Sequence, residues 1–133
     1  MSLKYLGRER IWILFLIIET LYIFQIVRYF INQIVNGNLA PGERLPSRRK
    51  LASMMRVNIN TVQRALSELE RQKLIVTESG KPSYIQSNTS RISEFRTSLI
   101  NDSLDTFLDK IRPLNVGYDE LVTIIREKYN DQS

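Results

Sequence analysis

"LPSRRKLASMMRVNINTVQRALSELE", Leu45–Glu70, decides the fold. Within it Val62, Ala65, Leu66 and Leu69 recur at i, i+3, i+4 and i+7, which predicts one apolar face of a helix. Upstream, Leu51, Ala52 and Met55 mark a shorter stripe behind Ser47. Serine caps a helix start by accepting a hydrogen bond from an otherwise unpaired backbone N–H. Only Arg56–Asn58 separate the two stripes. Two helices so close, with small and apolar residues at their seam, predict a helix-turn-helix. Asn60 is the expected N-cap of the second helix, with Gln63 three residues on as in a capping box. Thr61, Gln63, Arg64, Ser67, Glu68 and Arg71 are then expected outside the apolar stripe.

Working outward, the charge is uneven. The chain of 133 residues has a net charge of +5, yet residues 43–56 alone carry five cations against Glu43. Arg48, Arg49 and Lys50 fall in the first turn of the first predicted helix, where the helix macrodipole disfavours cations. A local cost at a helix start suggests an external anion that turns it into a gain. The blander reading is a solvated face with scattered charges. Asn58, Asn60, Thr61, Gln63 and Arg64 gather at the start of the second helix. These are side-chain types that pair with base edges in a major groove. Downstream, "LIVTESGKPSYIQ" (Leu74–Gln86) changes to a β-rich period around a turn. It predicts a hairpin wing with Gly80 and Lys81 at its tip, where an ammonium can reach a phosphate.

The flanks are apolar. Ile11–Ile18 are eight apolar residues in a row, preceded by Lys4, Arg8 and Arg10. That order matches a signal peptide or anchor, but Glu19 and then Gln25 interrupt the roughly 18–20 apolar residues a span needs. A membrane is therefore not an expected partner, and a second protomer is the expected cover for this sticky run. Ile23, Ile26, Val27, Phe30, Ile31 and Ile34 keep helical spacing up to Asn36-Gly37. At the other end, Ile92, Phe95, Leu99, Leu104, Phe107, Leu108 and Ile111 form a stripe that stops before Pro113. Leu121, Val122, Ile124, Ile125 and Tyr129 form the last one. Two short helices cannot enclose a core of their own, so a twin subunit is expected to cover them. The Asp102, Asp105 and Asp109 series reads as a solvated acidic face rather than a metal site.

The chain has no Cys and no His, which excludes disulfides, thiolate nucleophiles, imidazole bases and zinc fingers. With no nucleophile–base pair and no Gly-rich phosphate loop, no enzymatic role, cofactor or metal is expected. The lack of Cys fits a cytoplasmic protein. The expected architecture is mostly α with a small β-hairpin wing. Residues 1–19 would be an apolar N-terminal arm, 20–88 a winged helix-turn-helix domain, and 89–133 a two-helix dimerisation region.

The stretch Ile34–Ile85 resembles the GntR family of bacterial transcriptional regulators. The family's run Gly-x-Leu-x-Pro-Gly-x-x-Leu-Pro-Ser-x-Arg-x-Leu-Ala stands here as Gly37, Leu39, Pro41, Gly42, Leu45, Pro46, Ser47, Arg49, Leu51 and Ala52. Its Val-x-x-x-Thr-Val-x-x-Ala-x-x-x-Leu stands as Val57, Thr61, Val62, Ala65 and Leu69. The short two-helix tail looks like the YtrA-type subfamily of small homodimers. The resemblance implies a dimeric repressor on a near-palindromic operator in double-stranded DNA; it names no small-molecule effector. By position it implies that Arg49 contacts phosphate and base, that Asn58, Asn60, Thr61 and Gln63 contact DNA, and that Gly80 and Lys81 form the wing tip. Ile59 stands where some members place a base-reading Arg, and "LYIFQI" replaces the common Pro-Ile-Tyr-x-Gln-Ile lead-in. The competing expectation is a winged-helix protein-interaction module tethered to a membrane through residues 11–27.

Overall fold

The computed structural model describes residues Arg8–Asp131. Residues 1–7 of the expected arm, Lys4 among them, and residues 132–133 lie outside the described part. Helix α1 (Arg8–Val35) leads into α2 (Arg48–Met55), α3 (Ile59–Arg71), a hairpin of β1 (Ile75–Val76) and β2 (Tyr84–Ile85), α4 (Thr89–Ile111), and α5 (Tyr118–Asp131). A single 3-10 turn, Arg112–Leu114, with Pro113 inside it, separates the last two helices. The chain thus has the mostly helical architecture and the small wing expected of it.

The chain divides into two compact units, residues 1–95 and 96–133. In the first, the stripe on α3 forms the centre of the core. Val62, Ala65 and Leu69 are fully buried and Leu66 almost so. The Val and Leu side chains among them contribute about 1.5–3 kcal/mol each when removed from water. They pack against α1, whose own stripe of Ile26, Val27, Phe30 and Ile34 is buried. α1 ends where expected: Gly37 takes φ +84°, and Leu39 N–H returns to Gln33 O at 2.9 Å. Ile92, in the first turn of α4, joins the same core, so this unit runs past residue 88.

The wing is larger than its two strands. Ile75 pairs with Ile85 and Val76 with Tyr84, antiparallel. On the other side of β2, Leu45 N–H donates to Ser83 O, Ile85 N–H to Glu43 O, and Gly42 N–H to Ile85 O, all at 2.8–2.9 Å. The segment before α2 is in effect a third strand, and it ties the start of α2 to the wing.

One expectation about the N-terminus is corrected. Residues 11–18 are not a separate arm. They continue α1, which is 28 residues long, without a break. No Pro and no Gly lies between Ile11 and Val35 to stop it, and the position of the family's leading Pro is held by Leu21. The second unit, residues 96–131 as described, contains no buried residue. Leu99, Phe107, Leu108, Ile111, Leu121 and Val122 are half-covered, and Ile100, Leu104, Ile124 and Ile125 are exposed.

Candidate nucleic-acid interface

Two helix starts carry the candidate residues, and both are capped by side chains. At α2, Ser47 Oγ accepts from Lys50 N–H at 3.1 Å. No acid lies in that first turn. Arg49 and Lys50 are exposed, and Arg48 is half-buried with its Nε in no hydrogen bond. A buried guanidinium nitrogen without a partner is costly unless an anion supplies one. Ser47 and Arg48 line, with Gly80, Lys81 and Pro82, an open cleft of about 240 Å³. The expected phosphate-docking helix start and the expected wing tip are therefore neighbours.

At α3 the expected cap is corrected. Asn58, not Asn60, is the N-cap: its backbone is extended (ψ 144°) and its Oδ1 accepts from Asn60 N–H at 2.8 Å. The helix starts at Ile59 as a result. Asn58 is exposed, and with Oδ1 engaged its NH2 supplies the remaining donors. Gln63 does not close a capping box either; its Nε2 donates to Ser67 Oγ at 3.1 Å. A second correction concerns Thr61, which is 5% exposed. It lies one turn before Ala65 and so joins the buried stripe instead of the outer face, which puts its side chain out of reach of a base edge. The outer face is Asn60, Gln63, Arg64 and Ser67, again at i, i+3, i+4 and i+7, and all four are exposed. Of the expected groove-reading set, Thr61 is not on that face.

The turn between α2 and α3 is tight. Arg56 takes the left-handed conformation (φ 56°) and its N–H caps α2 through Ala52 and Ser53 carbonyls. At the wing tip Gly80 has φ +74°, and Lys81 is exposed with its Nζ 3.7 Å from Glu78. Glu78 also lies 3.6 Å from Arg44, whose guanidinium donates to Pro82 O at 2.8 Å and lies 4.8 Å from the Tyr84 ring centre. Arg44 thus braces the wing, a role the sequence reading missed because its partners are 34–40 positions downstream. Also missed was Glu19 on α1, which reaches Arg64 at 3.4 Å. At the far end of α3, Arg71 and Gln72 both donate to Glu68, and these bonds hold the Glu68 carboxyl down at about 2 from an ordinary 4.5. The chemistry of this surface is cations, amides and hydroxyls on helix starts beside a basic hairpin tip. Such side chains carry the charge and hydrogen-bonding groups that suit a polyanion with hydrogen-bonding edges.

Comparison with known proteins agrees. The profile of bacterial regulatory proteins of the gntR family matches residues 24–85. The chain is 30% identical over 102 residues to the uncharacterized HTH-type transcriptional regulator YhcF of Bacillus subtilis, spanning 77% of this chain and 84% of that one. It is 32% identical over 104 residues to the HTH-type transcriptional repressor YtrA of Bacillus subtilis, spanning 77% and 80%. A GntR family transcriptional regulator from Listeria monocytogenes has a similar structure, with TM-score 0.74, 28% identity, and coverage of 79% of this chain and 92% of that one. The chain belongs to the gntR family of bacterial regulatory proteins.

Proposed function

We propose that this chain is a cytoplasmic transcriptional repressor that binds a near-palindromic operator in double-stranded DNA as a homodimer. The observation that carries it is the exposed stripe Asn60, Gln63, Arg64 and Ser67 on α3, back to back with the core stripe. In this reading Asn58, Asn60, Gln63 and Arg64 enter the major groove, where each good amide–adenine or Arg–guanine pairing discriminates by about 1–3 kcal/mol. Ser47, Arg48, Arg49 and Lys50 hold backbone phosphates, and Gly80 with Lys81 brings the wing to the same duplex. The half-covered apolar stripes of residues 96–131 supply the dimer contact. The name of the relative YtrA supports repression. No enzymatic activity, cofactor or metal belongs to this reading.

Selection of bound fragments from random duplexes tests it. The expected product is a symmetric pair of half-sites, spaced to match two recognition helices of one dimer. Failure to enrich any sequence at low salt would overturn it. Once an operator is in hand, Arg49→Ala is expected to weaken binding and to lower the slope of log affinity against log salt by about 0.9, the value of one phosphate contact.

A further inference from the structure

The core accounts for only half of α1. From Ile26 onward the stripe Ile26, Val27, Phe30 and Ile34 is buried, but Trp12 is 73% exposed, Phe15 63%, Leu16 59% and Phe24 62%. With 3.6 residues per turn, the eight apolar residues Ile11–Ile18 point to every side of the helix. A second helix, including that of a second copy, covers one stripe of such a cylinder. A helix apolar all round is matched only by surroundings that are apolar all round. The family profile begins at residue 24, so this segment lies outside what the chain shares through that match.

We propose that the N-terminal half of α1 docks in the hydrocarbon region of an anionic lipid leaflet. Glu19, the acid that counts against insertion in the sequence, bounds the docked segment: it lies 3.4 Å from Arg64 of the folded unit and stays at the aqueous edge, outside the hydrocarbon. The segment Ile11–Ile18 is about 12 Å long, short of the roughly 30 Å hydrocarbon slab. It therefore lies obliquely in one leaflet and does not span the membrane. Arg10 is exposed at its outer end, with Lys4 and Arg8 before it in the sequence. A cation such as Arg10 snorkels back to headgroup phosphates, which is why the leaflet is anionic. Trp12, near the outer end of the segment, and Tyr22, just past Glu19, are rings of the kind that settle at headgroup level.

Flotation of the full chain with vesicles tests this, using phosphatidylcholine mixed with phosphatidylglycerol and, separately, phosphatidylcholine alone. The double substitution Ile13→Glu/Leu16→Glu changes two exposed side chains, and unchanged far-ultraviolet circular dichroism and melting will show that it folds. The full chain is expected to float with the mixed vesicles, to float several-fold less with phosphatidylcholine alone, and to stay at the bottom when doubly substituted. A full chain that does not float, or a double variant that floats equally, overturns the proposal. Equal flotation on both vesicle types overturns its anionic part. Sedimentation without lipid completes the test: a large species split by the double substitution, with no flotation, makes a second copy the occupant and overturns it too. Duplex selection is scored separately, so this proposal and the operator reading can fail independently.

Discussion

The outer and inner parts of α1 are both strongly apolar and have opposite fates. Phe30 and Phe24 sit on one helix, six residues apart, yet one is 3% exposed and the other 62%. Ile34 is 2% exposed and Ile13 is 54%. Hydrophobicity is a property of the residue, but burial is a property of the surface facing it. α3 offers such a surface to the stretch from Ile26 to Ile34, whereas along Ile11–Ile18 only Leu14 is even half-covered. The same contrast recurs in polar form at the start of α3, where Asn58 caps the helix and Asn60 faces outward.

The sharpest way to break this comparison is a pair of matched deletions. Phe30→Ala is expected to lower unfolding free energy by about 3–5 kcal/mol, a full core truncation. Phe24→Ala is expected to stay within about 0.5 kcal/mol of the parent. Urea unfolding of both variants decides it, and equal losses would mean that the outer half of α1 is covered after all. A smaller effect separates the two asparagines. Asn58→Ala removes the cap and is expected to cost about 1 kcal/mol, whereas Asn60→Ala leaves thermal stability nearly unchanged. Equal shifts in melting temperature would return the cap to Asn60.

Two finer predictions concern the C-terminal end of α3. Lys73 follows the helix with φ 60° and an exposed side chain. Lys73→Gly removes the left-handed strain of an L side chain and is expected to raise stability by up to about 1 kcal/mol. Glu68 has its pKa held near 2 in the folded chain, by Arg71 first and Gln72 second, against an ordinary 4.5. Its folded value lies below its unfolded one, so its contribution is fully present above pH 4.5 and is lost as pH falls from 4.5 toward 2. Melting of Glu68→Gln against the parent over that interval should show a shallower acid limb. Parallel curves would show that the ion pair adds nothing.

Much of this was legible in the sequence because local periodicity carries it. Val62, Ala65, Leu66 and Leu69 announced the core face of α3, and Ser47 announced the cap of α2; both are where the spacing put them. Gly80 marked the tip of the wing. The failures share a cause: each needed information from outside the local window. Thr61 lies at the edge of a stripe, and only the packing of α1 against α3 makes that edge buried. Asn58 and Asn60 are equal as caps by residue type, and the extended backbone at Asn58 decided between them. Arg56 and Lys73 adopt positive φ with no Gly to signal it. The links Glu19–Arg64 and Arg44–Glu78 join residues more than thirty positions apart, beyond any periodicity.

The central claim is that the outward stripe of α3 reads bases while the starts of α2 and the wing hold phosphates. Its most direct test is the affinity of the full chain and of Gln63→Ala for the selected operator and every single base-pair change in it. The account predicts that the substitution costs about 1–3 kcal/mol and erases discrimination at one symmetric position in each half-site, leaving the others intact. A uniform loss across all positions, or an unchanged profile, would contradict it.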